Sequence, residues 1–225
     1  MVSHNIKVVV NLLQDIKCNE VYEKISKLIS YAMTKDKELS EFHEKNTPKM
    51  YTFCALYPVQ KDGIYKKNNI YTFDIRTINI KFALKIKYLL CDLESEFFKV
   101  IMTDITTNKQ RNIKQLISLT PTVITSEEHG YFNEQLEFIK SRIIMGAEKK
   151  YYKIFGEKVS NDFIESIEKT NIKPIKIPYK NINFLGNKYI INVKQDKISQ
   201  DLAYILFATG ICEKNSLGFG FAKAK

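Results

Sequence analysis

Apolar and polar positions follow two different periods along this chain, and the order of those periods predicts an architecture. His4 to Leu13 is apolar and β-branched (Ile6, Val8, Val9, Val10) and reads as a strand. Asn19 to Thr34 carries apolar side chains at Val21, Tyr22, Ile25, Leu28, Ile29 and Ala32, the spacing of one helix face. Asn19 is the expected N-cap, with Glu20 and Glu23 in the first turn, where the helix dipole favours carboxylates. Two strand-like runs, Met50 to Tyr57 and Ile70 to Ile78, flank a Lys-Asp-Gly turn at Lys61 to Gly63. A helical pattern at Phe82 to Leu93 and a strand at Phe97 to Ile105 complete β-α-β-β-α-β, the ferredoxin-like split βαβ unit.

The second half follows the same order more loosely. Ile113 to Leu119 and Val123 to Thr125 flank Thr120-Pro121, and Tyr131 to Phe155 is a long helical segment that stops at Gly156. Strands are expected at Ile172 to Tyr179 and Lys188 to Val193, then a helix at Ile198 to Thr209 and a last strand at Phe219 to Ala222. The predicted fold is α+β: two tandem ferredoxin-like (βαββαβ) units over residues 1–107 and 112–225, joined in the polar run Thr106 to Asn112. A chain of 225 residues, 44% hydrophobic and 27% charged, is long enough for two such cores. Its apolar runs fall short of the roughly 18–20 residues of a membrane span, and Ile6 to Leu13, broken by Lys7 and Asn11, is no signal-peptide core. A cytoplasmic location is expected.

Charge narrows the choice of partner. The net charge is +10, and Lys169 to Lys225 supplies ten lysines against Asp196, Asp201 and Glu213, or +7 of it. A basic surplus so placed suits a polyanion, although a solvated lysine face would show the same count. The four cysteines lie more than thirty residues apart without a CxxC pair, so reduced, mostly buried thiols are expected and neither a metal nor another cofactor. Phosphate-cradling GxxxxGK[ST], dinucleotide-binding GxGxxG, GxSxG and HExxH motifs are absent. His4, His43 and His129 are the only histidines, so an acid–base histidine must be one of them. His4 opens a strand and His129 reads as part of a turn, while acidic pairs such as Glu94/Glu96 and Glu127/Glu128 read as solvated faces.

The densest local signal is the segment from Gly210 to Phe221, with Gly210, Gly218 and Gly220 around Lys214, Asn215 and Ser216. Glycine permits positive φ and close backbone approach, and the residues between offer donors to a phosphate; a loop of tight turns is the plainer reading. This segment resembles the glycine-rich signature of the repeat-associated RNA-processing superfamily (RAMP), most closely the Cas-six CRISPR endoribonucleases. Phe184-Leu-Gly-Asn-Lys-Tyr-Ile resembles the turn and strand before that signature, and Thr120-Pro-Thr-Val-Ile the strand opening the second unit. His43 followed by Pro48-Lys49-Met-Tyr51-Thr-Phe53 resembles the segment with the family's catalytic histidine. Cys212 departs from the pattern, since glycine is common there; a cysteine at positive φ costs roughly a kcal/mol or more.

The resemblance implies a metal-independent endoribonuclease that binds CRISPR repeat RNA within precursor CRISPR RNA, in which the 2′-hydroxyl attacks the adjacent phosphate. The products would be a 2′,3′-cyclic phosphate (or 3′-phosphate) and a 5′-hydroxyl. It implies a trio of His43 as principal acid–base residue, Tyr31 as its partner and Lys49 as the electrostatic stabiliser. Which of them serves as acid and which as base stays open, and other CRISPR effector subunits are further expected partners. Helical geometry adds one independent point: at about 100° per residue, Tyr31 lies roughly 120° from the apolar stripe, with Lys24, Lys27 and Lys35 within about 40° of it. A partly exposed tyrosine lying over a neighbour would look the same. His43, in Ser40-Glu-Phe-His-Glu-Lys, is expected in a loop between helix and strand. Candidate RNA-binding residues are Lys24, Lys27, Lys173, Lys176, Lys180, Lys188, Lys214, Asn215, Ser216, Gly210, Gly218 and Gly220. The alternatives are a non-catalytic RNA-binding subunit of a CRISPR ribonucleoprotein and an unrelated RNA-binding module of convergent fold.

Overall fold

The computed structural model describes residues 1–45, 47–125 and 135–225. In the first half the elements are β1 (Val2–Leu12), β2 (Ile16–Lys17), α1 (Val21–Thr34), α2 (Lys37–Glu44), β3 (Tyr51–Phe53), β4 (Ile64–Tyr65), β5 (Ile70–Thr77), α3 (Ile80–Leu90) and β6 (Phe98–Lys109). In the second they are β7 (Gln115–Ser118), α4 (Leu136–Phe155), β8 (Ile164–Lys169), β9 (Ile175–Tyr179), β10 (Ile182–Gly186), β11 (Tyr189–Val193), α5 (Lys197–Thr209) and β12 (Ala222–Ala224).

The main sheets are antiparallel, ordered β3-β5-β1-β6 and β12-β7-β11-β8. Each places the second, third, first and fourth strands of its βαββαβ unit side by side, which is the ferredoxin-like order. Period-two alternation fixes which face of β1 is buried: Ile6, Val8, Val10 and Leu12 point into the core with Val21, Ile25, Leu28 and Ile29 of α1 and Phe82, Ala83 and Ile86 of α3. The opposite face of the first sheet is covered by the second unit. Helix α5 packs on β3 and β5, and is buried nearly all round, from Leu202 through Thr209. Its Tyr204 hydroxyl donates to Asn108 O at 2.5 Å and lies 3.0 Å from Ser3 Oγ.

Two further pieces cross between the units. Arg76 of β5 is 8% exposed; its guanidinium lies 3.9 Å from the Phe207 ring and 4.2 Å from the Phe221 ring. Its Nη1 donates to Phe207 O at 2.9 Å and Ala222 O at 2.8 Å. The β9–β10 hairpin, inserted between β8 and β11, sends Ile177, Tyr179 and Phe184 into the core of the first unit. Tyr179 Oη is 3.0 Å from Ser26 Oγ of α1, and the Lys180 N–H donates to Glu23 Oε2 at 3.0 Å.

Several expectations need correction. Glu20, not Asn19, is the N-cap of α1, and it makes no side-chain cap bond. The second strand of the second unit is Ile164–Lys169, whereas Ile172 to Tyr179, expected in that role, supplies β9 of the inserted hairpin. Val123 forms only an isolated bridge with Glu213. The polar run from Thr106 prolongs β6 to Lys109, and the last strand lies at Ala222–Ala224 rather than Phe219 to Ala222. Cys212 is buried, but Cys18 and Cys54 are half-buried and Cys91 is exposed, all as free thiols. His129, the Glu127/Glu128 pair and the expected helix start at Tyr131 lie outside the described residues.

Candidate nucleic-acid interface and active site

His43 sits in a helix, not a loop. Asp36 caps α2 by accepting from Leu39 N at 2.9 Å, and Lys85 of α3 fastens that cap at 2.9 Å and the neighbouring Glu38 at 2.7 Å. Leu39 is buried and Phe42 packs on Phe82, which leaves His43 in the last turn facing solvent. The chain then turns through Met50 at φ 53° into β3, bringing Lys49 back onto the end of α2. There the Lys49 ammonium donates to the carbonyls of Phe42, His43 at 2.9 Å and Lys45 at 2.5 Å. A cation among the carbonyls at a helix C-terminus is stabilised by the dipole. Lys153 of α4 holds the same turn by donating to Pro48 O at 2.6 Å.

The surroundings of His43 favour its neutral form. Its pKa is lowered by partial burial, then by the Lys49 and Lys180 charges, with Glu44 opposing. The Lys49 pKa is lowered by burial and by Lys153 and Lys45. Tyr31, on α1, is 48% exposed, with Lys35 Nζ 4.9 Å from its ring centroid. Along the same ridge Lys24 Nζ lies 4.2 Å over Phe97 and Lys27 pairs with Glu23 at 2.7 Å.

Beside Lys49 a cavity of about 460 Å³ opens at the seam between the units. The first unit contributes Lys45 and Lys49, α4 contributes Arg142, Lys149 and Lys150, and the glycine-rich loop contributes Lys214, Asn215 and Ser216. Glu213 offsets part of this charge through its ion pair with Arg142.

The loop is shaped from within. Asn215 Nδ2 donates to Ile211 O at 2.9 Å and Phe219 O at 3.0 Å, closing it across its base. A Cβ on Gly210 would fall 2.5 Å from Asn215 Nδ2, and one on Gly218 would fall 2.6 Å from the Phe53 ring and 2.8 Å from the Tyr22 ring. All three glycines are buried and face the protein itself. Cys212 does adopt positive φ, at 56°, with its thiol pushed up to about 12 by burial.

The structure therefore gathers Lys49, Lys214, Asn215 and Ser216 around one cavity, with the charge of Lys180 acting on His43. Tyr31, Lys24 and Lys27 form a separate ridge on α1. Lys173 and Lys176 are exposed and Lys188 is half-buried, with its pKa lowered by burial; none of the three lines the cavity. Sequence reasoning missed Lys45, Arg142, Lys149 and Lys150. Three lysines within five residues, at 149, 150 and 153 of a long helix, were a readable signal. Among the described residues, no three His, Cys, Asp or Glu are grouped to hold a metal ion, and no helix is long and apolar enough to cross a membrane.

The chain is thus a pair of tandem ferredoxin-like units closed by a glycine-rich loop. Residues 104–224 match the family model described as CRISPR associated protein Cas6, C-terminal. The chain belongs to the Cas6 family. The same fold is found in a solved structure of a CRISPR associated protein Cas6, 20% identical over 99% of both chains with a TM-score of 0.75. It is found too in one described as an RAMP protein binding different RNA substrates, 17% identical over 99% of both chains with a TM-score of 0.76. A Cas6-related protein from Pyrococcus furiosus is 18% identical over 99% of this chain and 98% of its own, with a TM-score of 0.67. A sequence search of curated proteins found no significant match.

Proposed function

We propose that this chain is a CRISPR-RNA-processing endoribonuclease that holds repeat RNA along the seam between its units and cuts it without a metal ion. The observation that carries this reading is that, in a Cas6-family chain, the solvent-facing His43 stands at the helix end whose carbonyls hold Lys49, and Lys49 lines a lysine-walled cavity together with Lys214 and Ser216 of the glycine-rich loop. In the reaction the 2′-oxygen forms a bond to the adjacent phosphorus as the bond from phosphorus to the 5′-oxygen breaks. One proton leaves the 2′-hydroxyl and one reaches the 5′-oxygen, giving a 2′,3′-cyclic phosphate and a 5′-hydroxyl. A neutral His43 has a free nitrogen lone pair for the first transfer. The ammonium of Lys49 lowers the energy of the dianionic phosphorane; Tyr31, which stands apart on the α1 ridge, is the partner in proton transfer that the family resemblance implies. The exposed lysines at 173, 176 and 180 supply sequence-independent phosphate contacts. Gly210, Gly218, Gly220 and Asn215 act through loop shape, which presents Lys214 and Ser216.

A binding-only subunit is the second reading, favoured by one observation: the Lys49 ammonium is already engaged by carbonyls of α2. The two are separated by incubating repeat RNA with wild type and His43→Ala in EDTA. Cutting by wild type that falls at least about 100-fold in the variant supports the proposal. Intact RNA bound tightly by both proteins supports the second reading. Magnesium-dependent cutting, or an undiminished rate in His43→Ala, overturns the mechanism.

A further inference from the structure

Beneath the glycine-rich loop lies a charged group that the reaction above does not use. Lys150 is only 7% exposed, on the face of α4 that also buries Ile139, Ile143 and Ala147. Its Nζ donates to Gly210 O at 2.5 Å and Asn215 Oδ1 at 2.7 Å. Gly210 O is the carbonyl at the end of α5, and Asn215 is the side chain whose amide closes the loop onto Ile211 and Phe219. The glycines at 210 and 220 leave the room Asn215 occupies: a Cβ would come within 2.5 Å and 3.0 Å of its Nδ2, respectively. One ammonium thus joins the first and central residues of the loop to a helix of the second unit. On either side of Asn215, Lys214 and Ser216 line the cavity together with Lys49.

Resting on the endoribonuclease reading, we propose that Lys150 is a positioning residue: it fixes Asn215, and through it the approach of Lys214 and Ser216 to the phosphate being cut. A buried lysine is costly, and here burial brings its pKa down to about 7. Leucine or methionine would fill the site without that cost, but neither could satisfy the two oxygens Lys150 bridges. In its neutral form the amine still has two N–H donors, the number this joint requires.

The test compares wild type, Lys150→Met, Asn215→Ala and the double variant. Single-turnover cutting is measured at saturating repeat RNA, affinity with the same RNA carrying a 2′-deoxy group at the cut, and backbone hydrogen exchange over 210–220. Lys150→Met is expected to cut about 10–100-fold more slowly at saturation, with affinity within threefold of wild type and faster exchange in the loop. Because both residues act through one joint, the double variant is expected to cut no more slowly than Asn215→Ala. An unchanged saturating rate, or independent effects that multiply, overturns the proposal; so does a loss confined to affinity. If wild type does not cut, the endoribonuclease reading fails, and the exchange arm alone then decides whether Lys150 holds the loop.

Discussion

Arg76 offers a quantitative test of how the seam is held. Arg76→Met keeps an apolar side chain at this position and removes the guanidinium that lies against Phe207 and Phe221. Two hydrogen bonds from a charged donor to Phe207 O and Ala222 O are lost, at roughly 1.5–3 kcal/mol each. Two ring contacts at 3.9 and 4.2 Å go with them, at about 1 kcal/mol each. Against this stands the charge's desolvation. Burial lowers the Arg76 pKa to about 10, which at about 1.4 kcal/mol per unit is a penalty on the order of 3 kcal/mol that methionine does not carry. The contacts win, and the expected net loss is about 2–5 kcal/mol, a substantial share of the roughly 5–15 kcal/mol that stabilises a folded domain. Urea denaturation followed by circular dichroism reads this as a lower midpoint with an unchanged slope. A midpoint shift worth less than about 0.5 kcal/mol would refute the reasoning, because solvation would then cancel the paired guanidinium.

Three further outcomes follow from the loop and the site. Gly218→Ala places a methyl against the rings of Phe53 and Tyr22 at a φ of 92°, and should cost about 2–4 kcal/mol; a variant as stable as wild type by thermal denaturation would contradict that packing. At Cys212, φ 56°, Gly should be within about 1 kcal/mol of wild type while the β-branched Val loses at least about 2 kcal/mol, so equal denaturation midpoints for the two would refute the strain. Lys150 binds fewer protons folded than unfolded between pH 7 and its ordinary value near 10.5. Its contribution to stability therefore rises with pH across that window, by at most about 1.4 kcal/mol per unit. The stability difference between Lys150→Met and wild type should shift toward wild type as pH rises, and a pH-independent difference would count against a buried amine.

Where a strand or helix has one face in its own core, its period was legible: β1, α1, β5, α3, β6 and α5 all stand within a few residues of the positions their patterns mark. The failures have a common origin in contacts made elsewhere. β8 is an edge strand in which Glu165, Ser166 and Glu168 are exposed and only Ile164 is buried, so it carries little apolar signal. The more apolar β9 drew the assignment because Ile177 and Tyr179 serve the other unit's core. Helix α2 is eight residues long with one buried side chain, too short for a period, and its Asp36 cap was the only local sign. Of the residues that line the candidate cavity, Lys49, Lys214 and Ser216 were marked by resemblance and composition. Lys150 was not, because nothing in the chain distinguishes it from Lys149 until α4 is packed under the loop.

The β9–β10 hairpin also dictates an order of assembly. Ser26 and its partner Tyr179 are separated by 153 residues, so at ribosomal speeds of about 5–20 residues per second the first unit waits roughly 8–30 s for the side chains that fill its core. During that interval the core around α1 lacks Ile177, Tyr179 and Phe184. The core of the first unit is therefore complete only once the hairpin has been made, and a nascent chain that ends before it leaves apolar surface uncovered.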